Sequence, residues 1–102
     1  MRVIYMVNGH HQSMTELYKA ILSLENEDEC AAFFSDICTI QELEALVQRL
    51  QVAKMLLGGN NYNDISKAVG ASTATICRVA KCVKYGDGGY KTVLERIGNG
   101  EE

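Results

Sequence analysis

Apolar side chains recur at three- and four-residue intervals along most of the chain, and short polar or glycine-containing segments separate these stretches. Ser13-Met-Thr-Glu16 has the S-x-x-E form of a capping box, and with the apolar residues that follow it predicts a helix over residues 14–24. Asn26 then precedes three acidic residues, which suit the positive end of a second helix that ends near Cys38.

The longest predicted helix follows a second capping box, Thr39-Ile-Gln-Glu42, and ends before the turn residues 58–61. Its apolar stripe and the apolar residues that widen the stripe are Leu43, Leu46, Val47, Leu50, Ala53 and Leu57, with Ile40, Val52, Met55 and Leu56. Since a surface helix needs a narrower face, this width favours a second packing partner. A second copy of the chain is the preferred partner, and the chain's own helices are the alternative.

The segment YNDISKAVGASTATICRVAKCV, residues 62–83, predicts two short helices joined by a tight turn at Gly70. Asn63 and Ser72 are the expected N-caps of the two helices. Five positions of this segment face inward in a helix-turn-helix, and all five are apolar: Ile65, Val69, Ala71, Ile76 and Val79. The spacing therefore predicts a helix-turn-helix, with a ligand-free helical hairpin as the alternative.

Three glycines after residue 85 separate this pair from a last amphipathic helix over residues 90–97, with Gly98 as its expected terminator. No long segment alternates between polar and apolar residues as a strand does, and residues 3–7 are too few to assign. The chain is accordingly predicted to be all-α, with about six helices in a single domain over residues 1–102.

The net charge of −3 conceals an uneven distribution along the chain. Residues 1–53 carry three basic and eight acidic side chains, whereas residues 54–96 carry seven basic and three acidic ones. Because a polyanion responds to the local field of the surface that it meets, the acidic total is compatible with nucleic-acid binding by the second half.

Several other classes of function are not indicated. The cysteines Cys30, Cys38, Cys77 and Cys82 form no CxxC pair, and His10 and His11 lie far away on what we expect to be a frayed terminus. We therefore expect no metal and no cofactor, with buried, reduced thiols in a cytoplasmic protein. The opening apolar run is too short for a signal peptide or a membrane span, and no nucleophile is paired with a base, so an enzyme is not indicated.

If the helix-turn-helix binds double-stranded DNA, its second helix enters the major groove by its N-terminal part. Arg78 is suited to guanine, Thr73 and Thr75 to bases or phosphates, and Lys67, Lys81 and Lys84 to phosphates. The other outward residues at this helix are Ser72, Ala74 and Cys77.

The segments ELEALVQRLQVAKMLLGG and DISKAVGASTATICRVAKCVKYG resemble the tryptophan repressor superfamily. The ending YGDGGYKTVLERI also resembles its YerC/YecD-type branch. The resemblance covers about residues 14–98 and implies an intertwined homodimer that acts as a bacterial transcription repressor. It implies dimerisation by residues 14–57, a helix-turn-helix at 62–84 and a C-terminal helix at 90–97. The two helix-turn-helix units would contact half-sites ~34–36 Å apart.

The resemblance also implies a place for an effector. Arg49 and Arg78 stand where two arginines of the tryptophan repressor enclose the indole ring. Val79 replaces a glycine that leaves room for the ring, and Cys82 replaces a serine that contacts the ligand's amino group. Tryptophan is therefore not the expected corepressor. The two arginines are interpreted as surface or phosphate-contacting residues, with binding of another small anion as the alternative.

A second function remains open from the sequence. A helical dimer with this fold that does not read DNA would act as a protein-interaction module. The salt dependence of binding distinguishes the two functions. Binding to DNA weakens steeply with salt when it uses the basic side chains Lys67, Arg78, Lys81 and Lys84.

Overall fold

The computed structural model describes the backbone of residues 8–100 and the side chains of residues 12–98. Over this range the chain forms six α-helices and no strand, which confirms the all-α prediction. The helices are α1 (Asn8–Leu22), α2 (Glu27–Ile37), α3 (Ile40–Leu57), α4 (Tyr62–Val69), α5 (Thr73–Tyr85) and α6 (Gly89–Gly100). Residues 3–7, which the sequence left unassigned, lie outside the described residues.

The first helix is longer than the sequence predicted. It begins at Asn8 instead of residue 14, so Ser13 and Glu16 lie inside it and do not cap its start. The backbone of His10 and His11 is helical rather than frayed, and the side chains of both lie outside the described residues. No proline interrupts this segment, and extending an existing helix costs less than starting one.

The two predicted caps in the next part of the chain are confirmed. The side chain of Asn26 accepts a hydrogen bond from the backbone N–H of Glu29 at 2.9 Å and caps α2. At the start of α3, the N–H of Glu42 donates to Thr39 Oγ1 at 3.1 Å, and the N–H of Thr39 donates to Glu42 Oε1 at 2.8 Å. This reciprocal pair is a complete capping box.

Helix α3 ends at the predicted glycines in a defined hydrogen-bonded turn. Gly59 has a positive φ of 89°, and its N–H donates to the carbonyl of Leu56 at 3.1 Å. The N–H of Asn60 donates to the carbonyl of Met55 at 3.0 Å, and its side-chain amide donates to the same carbonyl. These bonds form a Schellman motif, which satisfies carbonyls that a helix end leaves without partners.

Two predicted boundaries are wrong. Asn61, rather than Asn63, caps α4, since its side chain accepts from the N–H of Asp64 at 2.8 Å. Either asparagine can serve as a cap, and the choice of Asn61 adds Tyr62 and Asn63 to the start of α4. Helix α6 continues through Gly98 to Gly100 instead of ending there, because glycine permits a C-terminal turn without requiring one.

The backbone contacts divide the chain into two compact units, and the boundary falls between Leu43 and Glu44, inside α3. Among the described residues, the buried side chains all belong to the second unit: Val52, Ala53, Ile65, Ala71, Ile76, Val79, Ala80 and Leu94. In the first unit, no described side chain is buried. The hydrophobic core of this chain is thus built by the second part of α3 together with α4, α5 and α6.

The wide apolar surface predicted for helix α3 is only partly buried. Val52 and Ala53 are buried, with Met55 and Leu56 packed against the same core. Most of the other apolar residues of α3 are exposed: Ile40, Leu46, Val47, Leu50 and Leu57. Much of the predicted stripe is therefore left without cover by the chain's own helices, and Val47 has half of its surface accessible (50%).

No helix among the described residues has the length and apolar character needed to cross a bilayer.

Candidate nucleic-acid interface

The turn between α4 and α5 forms around Gly70, as predicted. Gly70 adopts a left-handed conformation (φ 79°, ψ 15°), and its N–H donates to the carbonyl of Ser66 at 2.8 Å. The hydroxyl of Ser66 in turn donates to the carbonyl of Ala71 at 3.1 Å. The small Ser66 side chain thereby ties the end of α4 to the residue that leads into α5.

The inward side chains of the helix pair confirm the predicted pattern. Ile65 of α4 is fully buried, as are Ile76 and Val79 of α5, while Ala71 in the turn is 2% exposed. Val69 is half-buried and packs against the same cluster. Each large side chain of this kind contributes roughly 1.5–3 kcal/mol through removal of its apolar surface from water, so α4 and α5 pack as one stable pair.

The start of α5 is fixed by a pair of hydroxyl groups. Ser72 Oγ accepts the N–H of Thr75 at 3.1 Å and donates to Thr75 Oγ1 at 3.1 Å. The hydroxyl hydrogen of Ser72 is therefore committed to Thr75. Two of the residues predicted to contact DNA serve first to hold the helix start in place.

The predicted DNA-contacting residues are brought to the outside of the pair. Eight of the nine are exposed: Lys67, Ser72, Thr73, Ala74, Cys77, Arg78, Lys81 and Lys84. Thr75 is half-buried because of its position beside the core side of α5. Helices α4 and α5 together carry four basic side chains and one acidic side chain, Asp64, so the pair has a net charge of +3.

One exposed residue on this face was missed by the sequence interpretation. Ala74, Arg78, Lys81 and Tyr85 are spaced at intervals of four, three and four residues, which places them in one row on the side of α5 opposite the core. Tyr85 is 82% exposed. The helical spacing alone identifies it, once the inward positions of α5 are known.

The residues at the implied effector positions do not share one environment. Arg49 is half-buried, and Arg78 and Cys82 are exposed. Val79 is only 1% exposed and belongs to the hydrophobic core. Where the resemblance places a small glycine, this chain therefore has a core side chain.

The cysteines are less buried than the sequence suggested. Cys30 and Cys38 are half-buried, whereas Cys77 and Cys82 are exposed on α5. The expectation of buried thiols is wrong for this second pair, because both positions lie away from the side of α5 that packs on the core. Among the described residues, no three histidine, cysteine, aspartate or glutamate side chains are grouped in a way that would hold a metal ion.

Replacement of Gly70 by alanine tests the turn. A non-glycine residue in the left-handed conformation costs about 1–2 kcal/mol, so Gly70→Ala should lower the free energy of unfolding by about that amount in urea denaturation. Gly98→Ala is the matched control, because an added Cβ at Gly98 has nothing within 4 Å and its φ is not positive. The control should be neutral or slightly stabilising, and equal effects at both positions would contradict the assigned role of Gly70.

Replacement of Ser72 tests the cap. Ser72→Ala removes the acceptor for the N–H of Thr75 and should lower the free energy of unfolding by about 1 kcal/mol, measured by the same denaturation. Thr73→Ala, at the next and exposed position, should change it by less than about 0.5 kcal/mol. If Ser72→Ala proves as mild as this control, Ser72 does not support the start of α5.

The family model described as Trp repressor protein matches residues 12–98 of this chain. YerC of Bacillus subtilis (strain 168), an uncharacterised protein, is 48% identical over 86 residues, which cover 84% of this chain and 83% of YerC.

Two solved structures are also similar. One, from Staphylococcus aureus and provisionally assigned as a Trp repressor, has a TM-score of 0.86 and 43% identity, with coverage of 96% of this chain and 95% of that one. The other, a TrpR-like protein from Eubacterium eligens ATCC 27750, has a TM-score of 0.82 and 50% identity, with coverage of 85% and 90% respectively. These similarities confirm the resemblance seen in the sequence: the chain belongs to the Trp repressor family, a regulatory and non-enzymatic family with a helix-turn-helix fold.

Proposed function

We propose that this protein is a transcription regulator of the bacterial cytoplasm, a repressor that binds double-stranded DNA sequence-specifically as a homodimer. The observation that carries the proposal is the outward face of α5. It presents Arg78, Lys81 and Lys84 in a helix-turn-helix whose opposite side is buried in the core.

The side chains along this face have complementary uses on a duplex. Ala74 lies near the start of α5, where its methyl group suits contact with a thymine methyl, and Arg78 suits a bidentate contact with guanine O6 and N7. Lys67, Lys81 and Lys84 supply positive charge for phosphates. Thr73 adds an exposed hydroxyl at the first position of the helix, whereas Ser72 and Thr75 act mainly through the cap that orients it.

The uncovered apolar surface supports the proposed homodimer. The exposed side chains of α3 include Leu46, Val47 and Leu50, and none of the described side chains of residues 12–51 is buried. Apolar side chains exposed together on one helix face are typical of protein–protein contact sites. A second copy of the chain would cover it and place two helix-turn-helix units on half-sites ~34–36 Å apart.

Regulation by tryptophan is not part of the proposal. Cys82 offers a thiol, a weak hydrogen-bonding group, where the resemblance places a hydroxyl that meets the ligand's amino group. Val79 is committed to the core. Arg78 is assigned to DNA, and any effector at Arg49 and Arg78 would be a different small anion.

The DNA-binding proposal is tested by fluorescence anisotropy with duplexes selected from a random pool, at several salt concentrations. The logarithm of the affinity should fall linearly with the logarithm of the salt concentration, by about 0.9 for each phosphate neutralised. Arg78→Ala should relax preference at one base pair and cost about tenfold or more at the best site, whereas Lys84→Ala should weaken binding to all sequences and reduce the slope by about one.

Lys19→Ala, an exposed lysine on α1, is the matched control and should leave the titration unchanged. Excess L-tryptophan should leave it unchanged as well. Absence of duplex binding at low salt would contradict the proposal. A salt-independent association would instead favour the alternative function, a helical dimer that acts as a protein-interaction module.

The homodimer is tested with a charge on the exposed face of α3. Val47→Glu should weaken self-association more than tenfold, because assembly would bury an unpaired carboxylate; analytical ultracentrifugation across a concentration series measures this. Gln41→Glu is the matched control. It adds the same charge to α3 at a position ~120° from Val47 around the helix axis, and it should leave the dimer intact. A monomeric parent chain, or a Val47→Glu variant as dimeric as the parent, would refute the assignment of this face.

A further inference from the structure

Tyr85 is the most exposed tyrosine among the described residues, at 82%. The proposed function does not use it, and its ring forms no part of the core cluster. At the end of a basic helix face, this side chain offers an apolar ring and a polar hydroxyl for contact with a ligand.

The backbone holds Tyr85 in a defined position. It is the last residue of α5, and the next residue, Gly86, donates its N–H to the carbonyl of Cys82 at 2.8 Å. A Cβ at Gly86 would collide with that same carbonyl, so the close approach of the chain at this cap requires glycine. The backbone at Tyr85 is therefore that of a regular helix end.

The position of Tyr85 along α5 suits the edge of a groove. Tyr85 follows Arg78 by seven residues, or about 10.5 Å along the helix axis. A B-DNA major groove is about 12 Å wide. When the first turns of α5 carry Ala74 and Arg78 to the base edges, the last turn therefore reaches the sugar-phosphate backbone that borders the groove.

The neighbours of Tyr85 support the same location. Lys81 lies one helical turn before it in the same row, and Lys84 immediately precedes it. Both ammonium groups favour a polyanion at this end of the helix. A tyrosine hydroxyl is one of the groups that donate to phosphate oxygens in protein–DNA interfaces, and the ring can lie against the adjacent sugar.

We propose that Tyr85 is a positioning residue whose hydroxyl donates a hydrogen bond to a backbone phosphate at the margin of the DNA site and so fixes the depth and register of α5. The inference rests on the proposed DNA-binding function. Since the phenol is uncharged, its contact adds affinity without adding to the salt dependence, which distinguishes it from the contacts of Lys81 and Lys84.

The test compares the parent chain with Tyr85→Phe and Tyr85→Ala on duplexes of about 30 base pairs, long enough for two half-sites one helical turn apart. Loss of one hydrogen bond to a charged group from each protomer should weaken binding of Tyr85→Phe by about a hundredfold or more. The loss should be equal for preferred and random sequences, and the salt slope should remain that of the parent. Tyr85→Ala should bind at least as weakly as Tyr85→Phe.

Tyr18→Phe, the same change at a tyrosine of α1 that is 42% exposed, is the matched control and should bind as the parent does. Unchanged affinity of Tyr85→Phe overturns the inference, whatever Tyr85→Ala does, and so does a loss confined to particular sequences or a reduced salt slope. Failure of the parent chain to bind any duplex at low salt would be a separate result, because it defeats the proposed function itself.

Discussion

The left-handed conformation of Gly70 sets the direction in which α5 leaves α4, and the presentation of every outward residue of α5 depends on it. The hydroxyl of Ser66 holds the carbonyl of Ala71 across this turn, and Ile65, Ile76 and Val79 fill the space between the helices. With one side of α5 committed to the core in this way, helical geometry leaves Ala74, Arg78, Lys81 and Tyr85 on the other side. The candidate DNA surface is thus a consequence of the turn and the core.

The parts of the fold that follow local rules could be predicted from the sequence. The capping box at Thr39 and Glu42, the cap at Asn26, the turn at Gly70 and the inward pattern of the helix pair depend on residues close together in the chain. The errors arose where several local choices are acceptable. A helix can extend past Ser13 toward Asn8, start after Asn61 instead of Asn63, or continue through Gly98, because the free-energy differences between such boundaries are small.

The candidate site, like the fold, could be predicted in part from the sequence. Residue type and spacing identified the basic side chains and Arg78, because charge and helical period are properties of the sequence. They did not reveal that Ser72 gives its hydroxyl hydrogen to Thr75, since hydrogen-bond partners depend on side-chain geometry. Tyr85 was missed for a related reason. Tyrosine is intermediate between buried and exposed residues in proteins generally. The exposure of Tyr85 depends on which side of α5 packs against the core.

The distribution of burial links assembly to function. The core of the second unit contains four large, fully buried side chains, Ile65, Ile76, Val52 and Val79, which is a small number for a chain of 102 residues. In the proposed homodimer, the exposed apolar face of α3 would become buried. The same burial would then stabilise both the folded scaffold and the pairing of the two helix-turn-helix units. Mass action then makes stability rise with protomer concentration. DNA that engages both units would stabilise the dimer in turn, because a ligand that binds only the assembled state shifts the equilibrium toward it.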